Sequence, residues 1–226
     1  MTLIAVTGRK GGSGKTTLCA HLCGEFSHMG HQVLALDADP QQSLIRWAGM
    51  GEGLLHRIVE SLEASSFDEF NVQVQAAAKT AGLVFLDTPP TFTDMALWAH
   101  LVADLALIPV SPSPLDIFAA GETLQVVREA NVQRRSHRPK AWLVPNRVRA
   151  FTSAGREIRA ALEGLGAPVA PSISLREAAA TAALRGLTLA EYSPSSPARR
   201  EFSVLARAIE EELWIKQGAL LVQRPG

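Results

Sequence analysis

Lys10-Gly11-Gly12-Ser13-Gly14-Lys15-Thr16-Thr17 lies between a wholly apolar run, Leu3-Ile4-Ala5-Val6, and a helical pattern that starts near Thr17. A glycine-rich turn that closes on Gly-Lys-Thr between a strand and a helix is a phosphate cradle. Its glycines let backbone N–H groups approach phosphate oxygens, and the helix N-terminus adds about half a positive charge aimed at the anion. Gly11, Gly12, Ser13, Gly14 and Thr17 supply the cradle, Lys15 reaches the terminal phosphates, and the Thr16 hydroxyl sits on Mg²⁺. ATP and Mg²⁺ are the expected cofactors.

Outward from the loop, short apolar runs alternate with helical patterns. Strands are expected at Val33–Leu36, Leu83–Leu86, Leu105–Val110, Trp142–Val144 and Pro168–Ala170. Helices are expected at Leu54–Leu62, Phe67–Thr80, Met95–Leu101, Leu115–Val132, Ser153–Leu162, Ile173–Leu184 and Arg199–Trp214. Apolar strands alternating with helices indicate an α/β fold: a mostly parallel sheet with helices on both faces. One domain over residues 1–226 is expected. Ligands on such sheets bind at the carboxyl ends of the strands. The loop, Asp37 and Asp39, Asp87, and Pro112 and Pro114 all fall there. Asp87 closes Val84-Phe85-Leu86, where an acid can hold Mg²⁺. Asp39, fixed in an extended turn by Pro40, can orient the attacking water or else cap the helix over Gln41–Trp47. Asp37 supports Mg²⁺ or the loop.

Composition bounds the partners. Twenty-two Lys and Arg balance 22 Asp and Glu, so any pull toward nucleic acid or membrane is local. Cys19 and Cys23 share a helical face and read as small core residues. The first apolar run reads as a strand rather than a leader, and no run approaches the roughly 18 residues of a membrane span. A cytoplasmic location is expected.

The loop also departs from G-x-x-x-x-G-K-[ST]. Arg9 stands where that pattern needs glycine, and a second lysine, Lys10, precedes the glycine pair. This resembles the deviant phosphate loop of the ParA/MinD ATPases, a P-loop NTPase family. Asp37-Ala38-Asp39-Pro40-Gln41 resembles the family's first switch, Phe85–Thr88 its second acidic strand, Ile108–Asp116 the Pro-rich turn of small partition ATPases, and Asn146-Arg147 the pair that reads adenine. The resemblance runs to about residue 150, more loosely to the final helix. It implies that Lys10, Lys15 and Asp39 are catalytic, that Pro112, Pro114 and Asn146 hold the base, and that Thr16, Asp37 and Asp87 serve the metal.

It further implies an ATP-dependent homodimer in which Lys10 reaches the partner's phosphates. Such a dimer would bind DNA without sequence preference, through arginines such as Arg176, Arg199 and Arg200, and associate with the nucleoid. A ParB-like or cargo-adaptor protein would stimulate hydrolysis, and the cargo would be a plasmid, a chromosome or a protein body such as a carboxysome or chemoreceptor cluster. No helix-turn-helix segment precedes Met1, so operator-specific repression is not expected. Two other readings stand: a MinD-like regulator recruited to membrane, for which the basic face of Leu213–Gly226 is thin and Gly218 breaks its periodicity, and a kinase-type enzyme acting on a small molecule, against which Lys10 argues.

Overall fold

The computed structural model describes residues 2–90 and 93–222, with side chains through Leu213. The tail considered for membrane binding therefore lies, beyond Leu213, outside the described side chains. The strands are β1 (Thr2–Val6), β2 (Val33–Asp37), β3 (Val59–Ser61), β4 (Leu83–Asp87), β5 (Leu105–Val110) and β6 (Lys140–Pro145). They form one sheet in the order β3-β2-β4-β1-β5-β6, every neighbouring pair parallel. The helices are α1 (Lys15–His28), α2 (Ser43–Ala48), α3 (Leu54–Ile58), α4 (Phe67–Thr80), α5 (Asp94–Val102), α6 (Pro114–Arg134), α7 (Ser153–Glu163), α8 (Glu177–Leu184), α9 (Leu189–Tyr192) and α10 (Pro197–Val222).

Because side chains alternate across a strand, the central strands feed two faces. Ile4, Val6, Ala35, Phe85, Leu105 and Leu107 pack with Leu18, Leu22 and Phe26 of α1 and Phe202, Leu205 and Ile209 of α10. Leu3, Ala5, Leu34, Leu36, Val84 and Leu86 meet Phe70 and Val74 of α4 and Ala99 of α5. Farther along the sheet, α6 and α7 cover Ile108, Val110 and Leu143. Each fully buried Leu or Phe contributes about 2–3 kcal/mol, so cover on both faces is what holds the parallel sheet together. Cys19 and Cys23 are free thiols buried in this core.

Three expectations are corrected, and one helix is added. Leu54–Leu62 is not one helix: α3 ends at Ile58, and Val59–Ser61 joins the sheet edge beside β2. Pairing with an open edge overrides local helical pattern there. Pro168–Ala170 makes a single bridge, Val169 with Leu143, because Pro168 and Pro171 bring no N–H to a ladder. Ile173–Arg176 is extended, tied to the β6 end through Ile173 N–H to the Pro145 carbonyl and Leu175 N–H to the Val148 carbonyl. Its helix starts only at Glu177. Helix α9 was not foreseen, although Thr188 and Glu191 form a capping box around its start, a signal readable as S/T-x-x-E.

Two buried histidines make the fold sensitive to acid. His21 packs edge-on against Trp47 and Phe202 and accepts from the Leu189 N–H at 3.2 Å. Burial holds its pKa down to about 3, against a hydrogen bond to the Ala179 backbone that raises it. His100 Nε2 lies 3.1 Å from the Thr7 hydroxyl, and burial brings its pKa to about 4. The unfolded chain binds these protons near pH 6.5 while the folded chain does not. The stability that these two histidines contribute is therefore full above pH 6.5 and falls as pH drops toward 4. Each histidine should cost about 2 kcal/mol at pH 5. From pH 7 to 5 the thermal unfolding midpoint, relative to each protein's own value at pH 7, should end lower in the wild type than in His21→Gln, since the raised pKa of Asp87 acts alike in both. Equal shifts would contradict this.

Candidate nucleotide-binding site

The sheet register brings the predicted acids together. Asp37 and Asp87 are direct neighbours on β2 and β4, and Asp87 is level with Val6 at the end of β1. All three strands thus stop at one height, where the phosphate loop begins. Gly12 and Gly14 adopt positive φ of 78° and 94°, the left-handed region in which glycine is unstrained. A Cβ on Gly14 would also lie 2.5 Å from the Asn146 amide nitrogen.

Helix α1 starts at Lys15 with no side-chain cap, its first helical bond running from Leu18 N–H to the Gly14 carbonyl. The N–H groups at its start are therefore available to an anion. The buried Ser13 hydroxyl has no hydrogen-bond partner among the described residues. Lys15 is 7% exposed, and its ammonium donates to the Lys10 carbonyl at 3.4 Å. Burial lowers the Lys15 pKa, while Asp87 and Asp39 pull it up. A partly desolvated cation facing a ring of donors suits a polyphosphate.

Asp87 has the environment of a group awaiting a cation. It is 1% exposed, and among the described residues neither carboxylate oxygen has a hydrogen-bond partner at full bonding geometry, the Thr16 hydroxyl lying close by. Burial pushes its pKa up to about 7. The neighbouring Thr16 hydroxyl and Lys15 lower it, while Asp37 and Asp39 raise it. Among the described residues, no group of three or more His, Cys, Asp or Glu side chains could hold a metal. Mg²⁺ held by Thr16 and Asp87 would therefore need phosphate oxygens and water to complete its oxygen shell, as this small cation prefers. The residues fit that arrangement.

Asp37, expected to support Mg²⁺ or the loop, is held by backbone N–H groups. Its Oδ2 accepts from the N–H groups of Leu44 and Ile45 at 2.9 and 3.1 Å, and Oδ1 from Asp39 N–H at 3.1 Å. It caps α2 from the neighbouring strand and fixes the switch backbone. Burial nevertheless raises its pKa, against those three bonds. The capping alternative considered for Asp39 thus falls to Asp37. The Asp39 carboxylate accepts from Gln41 N–H at 2.9 Å and stays half-buried at the rim.

Lys10 is folded back in this chain, paired with Asp116 in the first turn of α6. Arg9 pairs with Glu122 one and a half turns further on, at 2.5 Å. Asp116 was not singled out from sequence: an acid in a first helical turn is common, and its partner lies 106 residues away.

Asn146 was expected at the base. Its amide nitrogen donates to the Ser13 carbonyl at 2.8 Å and its oxygen accepts from Arg147 N–H at 3.0 Å, which leaves one N–H and one lone pair of the amide for a ligand. Beside it opens a cleft of about 120 Å³ lined by Thr17, Asn146, Arg147, Ser174, Glu201 and Phe202, among others. Pro112 and Pro114 do not line this cleft; Pro114 takes the first helical position of α6, where its missing N–H costs nothing.

The three arginines differ. Arg199 is only 15% exposed and binds the buried Glu25 at 2.9 Å, so its guanidinium is not placed to meet DNA. Arg176 grips Glu201 through two nitrogens at 2.7 and 3.1 Å. Arg200 is exposed and donates to the Ser195 carbonyl.

Comparison with known proteins agrees with this geometry. Residues 4–189 match the CobQ/CobB/MinD/ParA nucleotide binding domain family. The chain is 33% identical over 168 residues to the maintenance of carboxysome distribution protein A of Halothiobacillus neapolitanus, covering 74% of this chain and 76% of that one. It is 32% identical over 221 residues to the protein of that name from Gloeobacter kilaueensis, covering 93% of each. Among solved structures, apo McdA from Cyanthece superposes with a TM-score of 0.73 at 20% identity over 92% of this chain and 99% of that one. MinD of Aquifex aeolicus superposes with a TM-score of 0.76 at 20% identity over 93% of this chain and 97% of that one. Phosphate loop, acidic strand ends, sheet order and sequence similarity converge: the chain belongs to the ParA/MinD family of nucleotide-binding ATPases.

Proposed function

We propose that the chain is a positioning ATPase of the ParA type. It hydrolyses ATP slowly, closes into a dimer when ATP is bound, holds DNA without sequence preference, and releases it when a partner protein stimulates hydrolysis. The observation that carries this reading is Lys10. A lysine placed ahead of the glycine pair, at the half-exposed shoulder of the loop, is not needed to bind phosphates already met by Lys15. It is suited to reach the phosphates of a second copy. Loss of the γ-phosphate then unties the halves, which makes the dimer a switch.

Within each site, Thr16 and Asp87 would hold Mg²⁺, which neutralises charge on the transferred phosphoryl group. Asp39 would orient the attacking water, and Asp37 would keep the Asp39 backbone in place. For DNA, Arg176 and Arg200 remain candidates together with exposed Arg149 and Arg156. The cargo suggested by the two carboxysome-distribution relatives is a protein body. A plasmid or chromosomal cargo is suggested by relatives named for partitioning. A cytoplasmic, nucleoid-bound location follows from the DNA reading.

The test is retention of the protein on non-specific DNA with Mg-ATP, across a salt series. Retention should need ATP and fall steeply with salt, because phosphate contacts release counterions. ATP-dependent binding to anionic vesicles with none to DNA would instead favour the membrane-recruited reading, and an acceptor-dependent phosphorylated product the kinase reading. Lys10→Ala should keep ATP affinity within about tenfold, the scale of one exposed charge contact, yet lose ATP-dependent dimerisation in light scattering. A normal ATP dimer in that variant would remove the family-specific part of the reading.

A further inference from the structure

We propose that Gln42 is a positioning residue for ATP hydrolysis: with Glu63 it clamps the turn that carries Asp39 to the edge of the sheet. The inference rests on Asp39 orienting the attacking water, and deepens that reading by naming what holds Asp39 still. Asp39, Pro40, Gln41 and Gln42 form a closed turn, in which Gln42 N–H donates to the Asp39 carbonyl at 2.7 Å and Gln41 N–H to the Asp39 carboxylate at 2.9 Å. Asp37 fixes the backbone on either side of this turn, through Asp39 N–H before it and through Leu44 and Ile45 N–H after it. The corner between them is tied from the other direction.

Gln42 makes that tie. Its Nε2 donates to Glu63 Oε1 at 3.0 Å and to the Ser61 hydroxyl oxygen at 3.3 Å. Both partners belong to the end of β3, the edge strand beside β2. Glu63 is itself anchored, since Gln73 of α4 donates to its carbonyl at 2.7 Å. Gln42 holds a φ of +50°, a left-handed conformation that a residue with a Cβ adopts against steric resistance. Such conformations persist where the surroundings over-determine them, and they cluster at functional sites and switches. Here the residue does three things at once. Its N–H closes the Asp39 turn, its carbonyl accepts the first bond of α2 from Arg46 N–H, and its side chain reaches β3.

The turn has room to move. It borders a cleft of about 360 Å³ lined by Asp37, Asp39, Gln42, Ser61, Glu63 and Met95, among others. Open space on that side leaves the position of Asp39 to hydrogen bonds rather than to packing. A group that orients a reacting water must be held closely, because small misplacements cost rate. The phosphate loop follows β1, and its contacts with Lys15 and the start of α1 do not pass through Gln42. Loss of the clamp should therefore slow hydrolysis and leave ATP affinity alone.

The experiment measures single-turnover ATP hydrolysis, and the Mg-ATP dissociation constant by calorimetry, in the wild type, Gln42→Asn, Gln42→Glu and the double variant Gln42→Glu with Glu63→Gln. Asparagine tolerates the left-handed backbone but is one methylene too short to reach Glu63. Gln42→Glu sets two carboxylates against each other. The double variant restores an amide–carboxylate pair with its ends exchanged and the net charge of the wild type. Hydrolysis should fall about fivefold in both single variants, the scale of one exposed hydrogen bond to a charged group. The dissociation constant should stay within about twofold, and the double variant should hydrolyse ATP within about twofold of the wild type. Adding Gln42→Asn to Asp39→Asn should cause no further loss, because the clamp acts through Asp39. Slow hydrolysis in Asp39→Asn with wild-type rates in both Gln42 variants would overturn the clamp and leave the role of Asp39 standing. So would a loss in Gln42→Glu that the exchanged pair does not restore, or further slowing when Gln42→Asn is added to Asp39→Asn. Unslowed hydrolysis in Asp39→Asn, or none in the wild type, would remove the reading on which the clamp rests, and the clamp with it.

Discussion

Lys15→Ala should weaken ATP binding by about thirtyfold or more, the largest loss expected of any single substitution in the loop. The ammonium is 7% exposed and faces the loop, so removing it takes a desolvated positive charge from the place where the terminal phosphates carry most negative charge. Truncating one partner of a buried charge pair costs about 2–5 kcal/mol, roughly thirtyfold to several thousandfold in affinity. The apo fold should survive. Burial already disfavours the charged form of Lys15, and the hydrogen bond given up among the described residues is a long one to the Lys10 carbonyl. Calorimetry of ATP binding, with a thermal midpoint for the apo protein as control, checks both halves. Affinity kept within tenfold would sink the assignment of Lys15 to the phosphates.

The second large effect is expected at Asp39. In Asp39→Ala, ATP should still bind, while the rate of hydrolysis falls by about a hundredfold or more, the lower end of what a positioned acid or base contributes. The ATP-bound dimer should then persist, since its release depends on loss of the γ-phosphate. The structure supplies a control for the competing role. Asp39 accepts from Gln41 N–H, a turn contact that asparagine can also make through its amide oxygen. Asp39→Asn therefore keeps the turn and removes the charge. Slow hydrolysis in both variants assigns the carboxylate to the reaction. Normal turnover in Asp39→Asn, with a defect only in Asp39→Ala, would assign it to the turn.

Both expectations depend on Asp37 doing what it does. Had Asp39 been the group that caps α2, its removal would have loosened the switch and weakened ATP binding with it. Three backbone N–H groups converge on Asp37 instead. That division of labour between two carboxylates two residues apart could not be read from Asp37-Ala38-Asp39, because both acids have the chemistry for either task. The strand register distinguishes their surroundings by burying Asp37 beside Asp87 and leaving Asp39 at the rim.

Much of the fold was legible because it rests on local signals. The strands Leu83–Asp87 and Leu105–Val110 are apolar throughout, and α4 begins at Ser66-Phe67 with Ser66 accepting from Glu69 N–H, as a capping residue should. The stretches that misled were those where distant chain decides. Val59–Ser61 becomes a strand because β2 offers an open edge. Ile173–Arg176 stays extended because the end of β6 takes its backbone bonds.

The sequence by itself determined that a nucleotide's phosphates are bound here and that the sheet is parallel, since both follow from short-range pattern: glycines, Lys15 and Thr16 at fixed spacing, and apolar runs of strand length between helices. It also carried the family, through Lys10 and the absence of glycine at Arg9. Only the tertiary structure decided what the lone polar residues do. It folded Lys10 onto Asp116, spent Arg199 on Glu25 and turned Asn146 toward Ser13, because each of these partners is more than a hundred residues away and is brought within reach only by the stacking of β4, β1, β5 and β6 and the packing of α10 on α1. Hydrogen bonds and ion pairs act over about 3 Å, and no spacing along the chain reports a distance that the fold alone creates.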